Sequence, residues 1–150
     1  MHIVQSKSEF APIPLLHSFR TFVIYSDESS LQAGEFISHP AIQGIRISAY
    51  CIAKDSVVTN ASKEKISWLD RMFPALFLRK TGLNALKNCT IVLFSESKFL
   101  LKVIEKLAAK NTLLYWGNLQ TKKAQVHFSP QSNDPDSITS FIHCIQKVRF

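Results

Sequence analysis

Two stretches, Thr21-Phe22-Val23-Ile24-Tyr25 and Thr90-Ile91-Val92-Leu93-Phe94, carry no charge, no proline and no glycine. A strand with one face in water alternates apolar and polar side chains, whereas both of these are nearly continuous in apolar, β-branched and aromatic residues. That pattern fits strands covered on both faces and therefore central in a sheet. The rest of the chain must supply the layers that cover them.

The remaining pattern supplies candidates for those layers. Residues 1–18, with Pro12 and Pro14, read as an extended lead-in arm, and residues 19–150 as a single domain. Leu31 to Gln43, which holds Gly34, Pro40 and scattered polar residues, reads as a loop. Ile45 to Ile52, a turn at Lys54-Asp55 and Ser56 to Thr59 form a hairpin pattern. From Asn60 to Leu86 the spacing predicts a helix, with Ser62 as cap, Glu64 in the first turn, and Ile66, Leu69, Phe73, Leu76 and Phe77 recurring. Pro74 kinks that helix or restarts it, because inside a helix it removes a hydrogen bond at about 3 kcal/mol.

Lys98 to Lys110 is amphipathic, with Phe99, Leu100, Val103, Ile104 and Leu107 on one side and lysines opposite. Leu113 to Trp116 and Ala124 to Phe128 are short strand patterns, and Asp136 to Val148 closes the chain as a helix after the polar link from Ser129 to Pro135. The expected class is α/β: a mixed central sheet of about five strands with helices packed on it. The first strands pair antiparallel and the later strand-helix-strand units parallel.

With 18 Lys+Arg against 11 Asp+Glu the net charge is +7, which favours anionic partners such as nucleic acid, although a basic surface that serves only solubility has the same charge. Cys51, Cys89 and Cys144 lie far apart, with no spacing for a zinc site or a disulfide framework. No stretch has the apolar length of a membrane span, and the amino-terminal residues lack the apolar core of a signal peptide. A cytoplasmic or nuclear protein is expected, with a virion-associated one included.

Each central strand ends in an acid. Tyr25 runs into Ser26-Asp27-Glu28-Ser29, and Phe94 into Ser95-Glu96-Ser97 followed by the amphipathic helix. This grammar resembles the ribonuclease H-like superfamily, whose first strand ends in Thr-Asp-Gly-Ser and whose fourth ends in Thr-Asp-Ser before a helix. The resemblance implies a nuclease, of retroelement or viral type, that hydrolyses RNA in an RNA–DNA hybrid with two Mg²⁺ or Mn²⁺ ions. It implies Asp27, Asp70, Glu96 and Asp136 as catalytic acids, with Asp27, Glu96 and Asp136 holding metal. Glu64 is the substitute for Asp70, Asp134 the substitute for Asp136, and His127 stands nearest to the family's loop histidine. Physically, carboxylates crowded on a basic protein repel one another unless cations neutralise them.

The sequence departs from that family by Glu28 for Gly, by Glu96 for Asp, and by the missing acid near Phe73 to Ala75. The alternative is a catalytically inactive module of the same fold that binds nucleic acid or protein, with the amino-terminal arm as a protein contact. Nucleic acid would meet Ser29 and Lys98 beside the acidic tips, together with Trp116, Lys122 and Lys123. The competing structural roles are ordinary ones. Asp27 and Ser29 suit a turn, Ser95 or Ser97 suits a helix cap, and Asp136 suits an N-cap. Tyr115 and Trp116 suit a core, and the lysine pair suits a solvated turn.

Overall fold

In the computed structural model, which describes residues 16, 20–53, 56–59, 63–65, 72–130 and 135–148, the two apolar runs become β1 (Thr21–Ser26) and β5 (Thr90–Phe94), hydrogen-bonded side by side. Around them lie β2 (Ile47–Ile52), β3 (Ser56–Thr59), β4 (Lys63–Lys65), β6 (Thr112–Trp116) and β7 (Val126–Phe128). The α-helices with ranges among the described residues are α1 (Ser30–Ser38), α2 (Pro74–Thr81), α3 (Lys98–Glu105) and α4 (Ser137–Gln146). Among the described residues the sheet has seven strands in the order β4-β3-β2-β1-β5-β6-β7. Strands β2, β1, β5, β6 and β7 run parallel, and β3 and β4 add an antiparallel flank.

The α/β class and the mixed sheet agree with the sequence reading, the sheet has seven strands instead of about five, and the connectivity corrects the reading in three places. The stretch read as a loop holds α1, whose Ala33 and Phe36 are fully buried at a spacing of one turn, and Pro40 then opens a separate short turn. Because α1 lies between them, β1 and β2 are joined by a helical crossover and pair parallel, not antiparallel. The hairpin between β2 and β3 is present, with Tyr50 opposite Thr59.

The third correction concerns the long helix. Lys63–Lys65 is a strand, and α2 begins at Pro74, where the missing N–H costs nothing because the first turn has no acceptor for it. Glu64 therefore lies on the outermost strand, three strand spacings or roughly 14 Å from β1, and cannot substitute for a helix acid. Asp70 and Asp134 lie outside the described residues, as do the turn at Lys54-Asp55 and all of the amino-terminal arm except Leu16. Leu16 itself is buried and accepts a hydrogen bond from Thr21 Oγ1 at 3.3 Å.

Alternation along the parallel strands divides the core into two layers. Phe22, Ile24, Ile91, Leu93, Leu113 and Tyr115 face α2 and α3, while Val23, Val92, Phe94, Leu114 and Trp116 face α1 and α4. The parallel step from β6 to β7 has no helix. Leu119 and Ala124 of the connecting segment pack on the α3 layer in its place.

His39, just beyond α1, ties the second layer together. Its Nδ1 accepts from the Ala41 N–H at 3.1 Å, and its Nε2 meets Thr139 Oγ1 of α4 at 3.2 Å. Burial lowers the His39 pKa, with the neighbouring His143 adding to the effect. The unfolded chain therefore takes up a proton near pH 6.5 before the folded chain does. His39 contributes its full stability above that pH and loses it as pH falls toward the lower folded value. We expect the melting temperature to fall between pH 7.5 and 5.5, and His39→Gln to flatten that profile; an unchanged slope in the variant would refute the assignment.

Candidate functional site at the carboxyl edge of the sheet

Register carries the two acidic tips to adjacent strand ends. Tyr25 pairs with Phe94, so Ser26 and Asp27 continue beside Ser95 and Glu96. The chain leaves β1 toward the α1 layer and β5 toward the α3 layer, which makes this edge a topological switch point, where open parallel sheets form a crevice. Ser26 Oγ, on a residue 4% exposed, ends β1 there without a hydrogen-bond partner among the described residues.

The acids themselves face different neighbours. Asp27 is exposed, and its charge acts toward β2: burial raises the Cys51 thiol first, Asp27 raises it further, and a Tyr25 hydrogen bond opposes them. Glu96 is turned toward β6. Its Oε1 accepts from the Asn118 backbone N–H at 2.6 Å and its Oε2 from Asn118 Nδ2 at 2.8 Å. A carboxylate held by two donors has a structural task already.

Glu96 belongs to a larger brace. Tyr115 is fully buried and donates to the Ser95 carbonyl at 2.7 Å; burial pushes its pKa up to about 12, opposed by the Leu119 N–H and assisted by the Glu96 charge. Gly117 donates to the Phe128 carbonyl at 2.9 Å, and its own carbonyl meets His127 Nε2 at 2.9 Å. A Cβ on Gly117 would overlap the Tyr115 hydroxyl and the Ser95 carbonyl, so only glycine fits there. On the helix side, Ser95 Oγ accepts from the Ser97 N–H at 2.9 Å and Ser97 Oγ caps α3 at Leu100 with 3.3 Å.

The described acids at this edge, which do not include Asp70 or Asp134, are not gathered around one point. Among the described residues no group of three or more His, Cys, Asp or Glu is placed to hold a metal, and Glu96 is engaged by Asn118. Asp136 is exposed at the start of α4, which packs on β7 and α1, and it joins no ligand group with Asp27 and Glu96. His127 lies on β7, as its strand pattern implied, and is bound to Gly117 and Ser129.

Two of the expected nucleic-acid contacts are corrected by burial. Trp116 is packed against Phe94 with ring centroids 5.8 Å apart, and Ser29 is 3% exposed at the start of α1, so neither can meet a ligand from solvent. Lys98, Lys122 and Lys123 are exposed as expected. Beside Lys98 a groove of about 700 Å³ runs between α3 and residues 118–120, lined by Lys98, Phe99, Lys102, Leu119 and Glu105 among others, with Glu105 accepting a hydrogen bond from Thr121 Oγ1 at 2.7 Å. Phe99 is half-buried and stands edge-on to Phe77 at 5.4 Å.

Sequence reasoning passed over Gly117 and Asn118, the residues on which this edge depends. The available signal was a glycine directly after an apolar strand, which marks close backbone approach. This chain matches no protein-family model, no curated protein and no solved structure.

Proposed function

We propose that this protein binds single-stranded nucleic acid along the groove between α3 and residues 118–120 and does not cleave it. The observation that carries this reading is Glu96, whose two oxygens are both taken by Asn118 directly beside a lysine-rimmed groove. Lys98, Lys102 and Lys106 recur every four residues along one exposed side, and Lys122 and Lys123 lie on the segment that follows the groove. Phosphates would meet these lysines, and a base would lie against Phe99 and Leu119. The ribonuclease H-like resemblance enters in its inactive form. The parallel neighbours β1 and β5 support it, and the parallel β1–β2 pair weighs against it.

Five lysine-phosphate contacts would give a log-log salt slope of about −3.5 for a single strand, at about −0.7 per contact. Anisotropy of a labelled oligonucleotide between 50 and 200 mM salt, roughly the range over which such contacts are resolved, measures this. Lys98→Ala with Lys102→Ala should shallow the slope by about 1.4. A flat response, or one indifferent to both substitutions, would remove the proposal. Glu96→Gln should leave binding intact and lower the melting temperature by about 2–4 °C, the effect of about 1 kcal/mol.

A second reading, metal-dependent phosphodiester hydrolysis, is favoured by the adjacency of the Asp27 and Glu96 strand ends. Cleavage of an RNA–DNA hybrid that appears with Mn²⁺ and disappears in Asp27→Asn would establish it in place of the first.

A further inference from the structure

At the opposite, amino-terminal edge of the sheet, Arg20 and Arg46 occupy equivalent places on neighbouring strands. Thr21 pairs with Ile47 and Phe22 with Ser48, so the same register sets Arg20 across from Arg46, one residue before each strand begins. Like charges directly opposite one another destabilise a sheet. Both side chains are exposed, and among the described residues neither guanidinium has a carboxylate partner.

The two arginines line one cavity of about 460 Å³, together with Phe22, Gly44 and Ser48, and no acid is among its described lining residues. That volume lies within the range of about 300–1,000 Å³ that small-molecule sites occupy. One wall is already ordered, because the Arg20 guanidinium carbon lies 4.9 Å from the centroid of the Phe22 ring. Gly44 has φ of 85° with open space where a side chain would stand, which leaves the mouth beside Arg46 unobstructed.

From these observations we infer a phosphoryl-binding site at the amino edge of β1 and β2, in which Arg20 and Arg46 converge on one phosphate and Ser48 donates a further hydrogen bond. Guanidinium groups suit the task because their donors form a rigid fork matched to phosphate oxygens. The bound anion also removes the cross-strand repulsion. The site stands apart from the proposed groove and does not depend on it.

Inorganic phosphate is the first probe. At about 100 times its dissociation constant it should raise the melting temperature by about 5–10 °C over chloride of equal ionic strength, and Arg46→Gln should abolish the rise. Arg46→Glu provides a control against simple misfolding. Paired across the strands with Arg20, it should melt higher than the parent in phosphate-free buffer yet ignore phosphate. Equal phosphate responses in parent and Arg46→Gln, or no response beyond chloride in the parent, would overturn the inference. Competition separates two sources of the same chemistry. Displacement of phosphate by a nucleoside monophosphate alone assigns a small phosphomonoester, and displacement by an oligonucleotide without terminal phosphate assigns a nucleic-acid backbone.

Discussion

Phe94→Ala is expected to cost about 3–5 kcal/mol of folding stability, the range for removing a fully enclosed aromatic ring. Phe94 is the last residue of β5, has no exposed surface, and holds Phe36 at 5.4 Å, Phe141 at 5.7 Å and Trp116 at 5.8 Å between ring centroids. These neighbours come from α1, α4 and β6, so the ring joins both helices of the second layer to the sheet. Neighbours fixed on three elements cannot all collapse into the space left, and the cavity term adds to the lost transfer energy. A fall in melting temperature of about 6–20 °C should follow for a chain of this length. Phe94→Leu, which retains most of the volume, should lose far less. Urea unfolding of both variants checks this, and a loss below about 1 kcal/mol for the alanine variant would show that the second layer repacks freely.

Gly117→Ala should approach the same scale through the opposite mechanism, crowding instead of a void. The added methyl group meets the Tyr115 hydroxyl and the Ser95 carbonyl, which are themselves hydrogen-bonded. Overpacking of about 1–3 kcal/mol combines with a buried hydrogen bond left unmade, and a total near 3 kcal/mol is expected. Tyr115→Phe alone should cost about 1–2 kcal/mol, since it strands the Ser95 carbonyl. In the double variant the hydroxyl that crowds the new methyl is gone. Its loss should therefore fall short of the sum of the single losses by more than about 0.5 kcal/mol, the usual limit of additivity. Additive losses would mean that Tyr115 and Gly117 do not share one constraint. Because Asn118 follows Gly117 directly, the same substitution should also release Glu96 and disturb the adjoining groove.

The contrast between these edges and the core shows what a single sequence can reveal. β1, β5 and α3 were legible because each carries its own burial pattern: continuous apolar runs for the strands, a four-residue recurrence for the helix. Helix α1 was not, since Gly34, Ser38 and several exposed polar residues dilute a buried face made chiefly of Ala33 and Phe36. The error propagated, because missing a crossover helix turns a parallel neighbour into a hairpin partner. At the site, sequence could place Asp27 and Glu96 at strand ends but not direct their side chains. The direction of Glu96 is decided by Asn118, some twenty positions away, and such a contact leaves no local periodicity. Arg20 and Arg46 were invisible for a related reason: only the parallel register sets them opposite each other.

The two outer strands have a consequence for how this protein behaves in company. A long, flat, apolar border would offer its open hydrogen-bonding groups as a template to any second chain. Among the described residues one border, β4, is a three-residue Lys-Glu-Lys segment, and the other, β7, is a three-residue strand tied to the preceding loop by hydrogen bonds from Gly117 to Phe128 and between His127 and Gly117. Short length at both margins and charge at one discourage edge-to-edge polymerisation. The seven-stranded sheet can thus remain the property of a single chain even where that chain is concentrated.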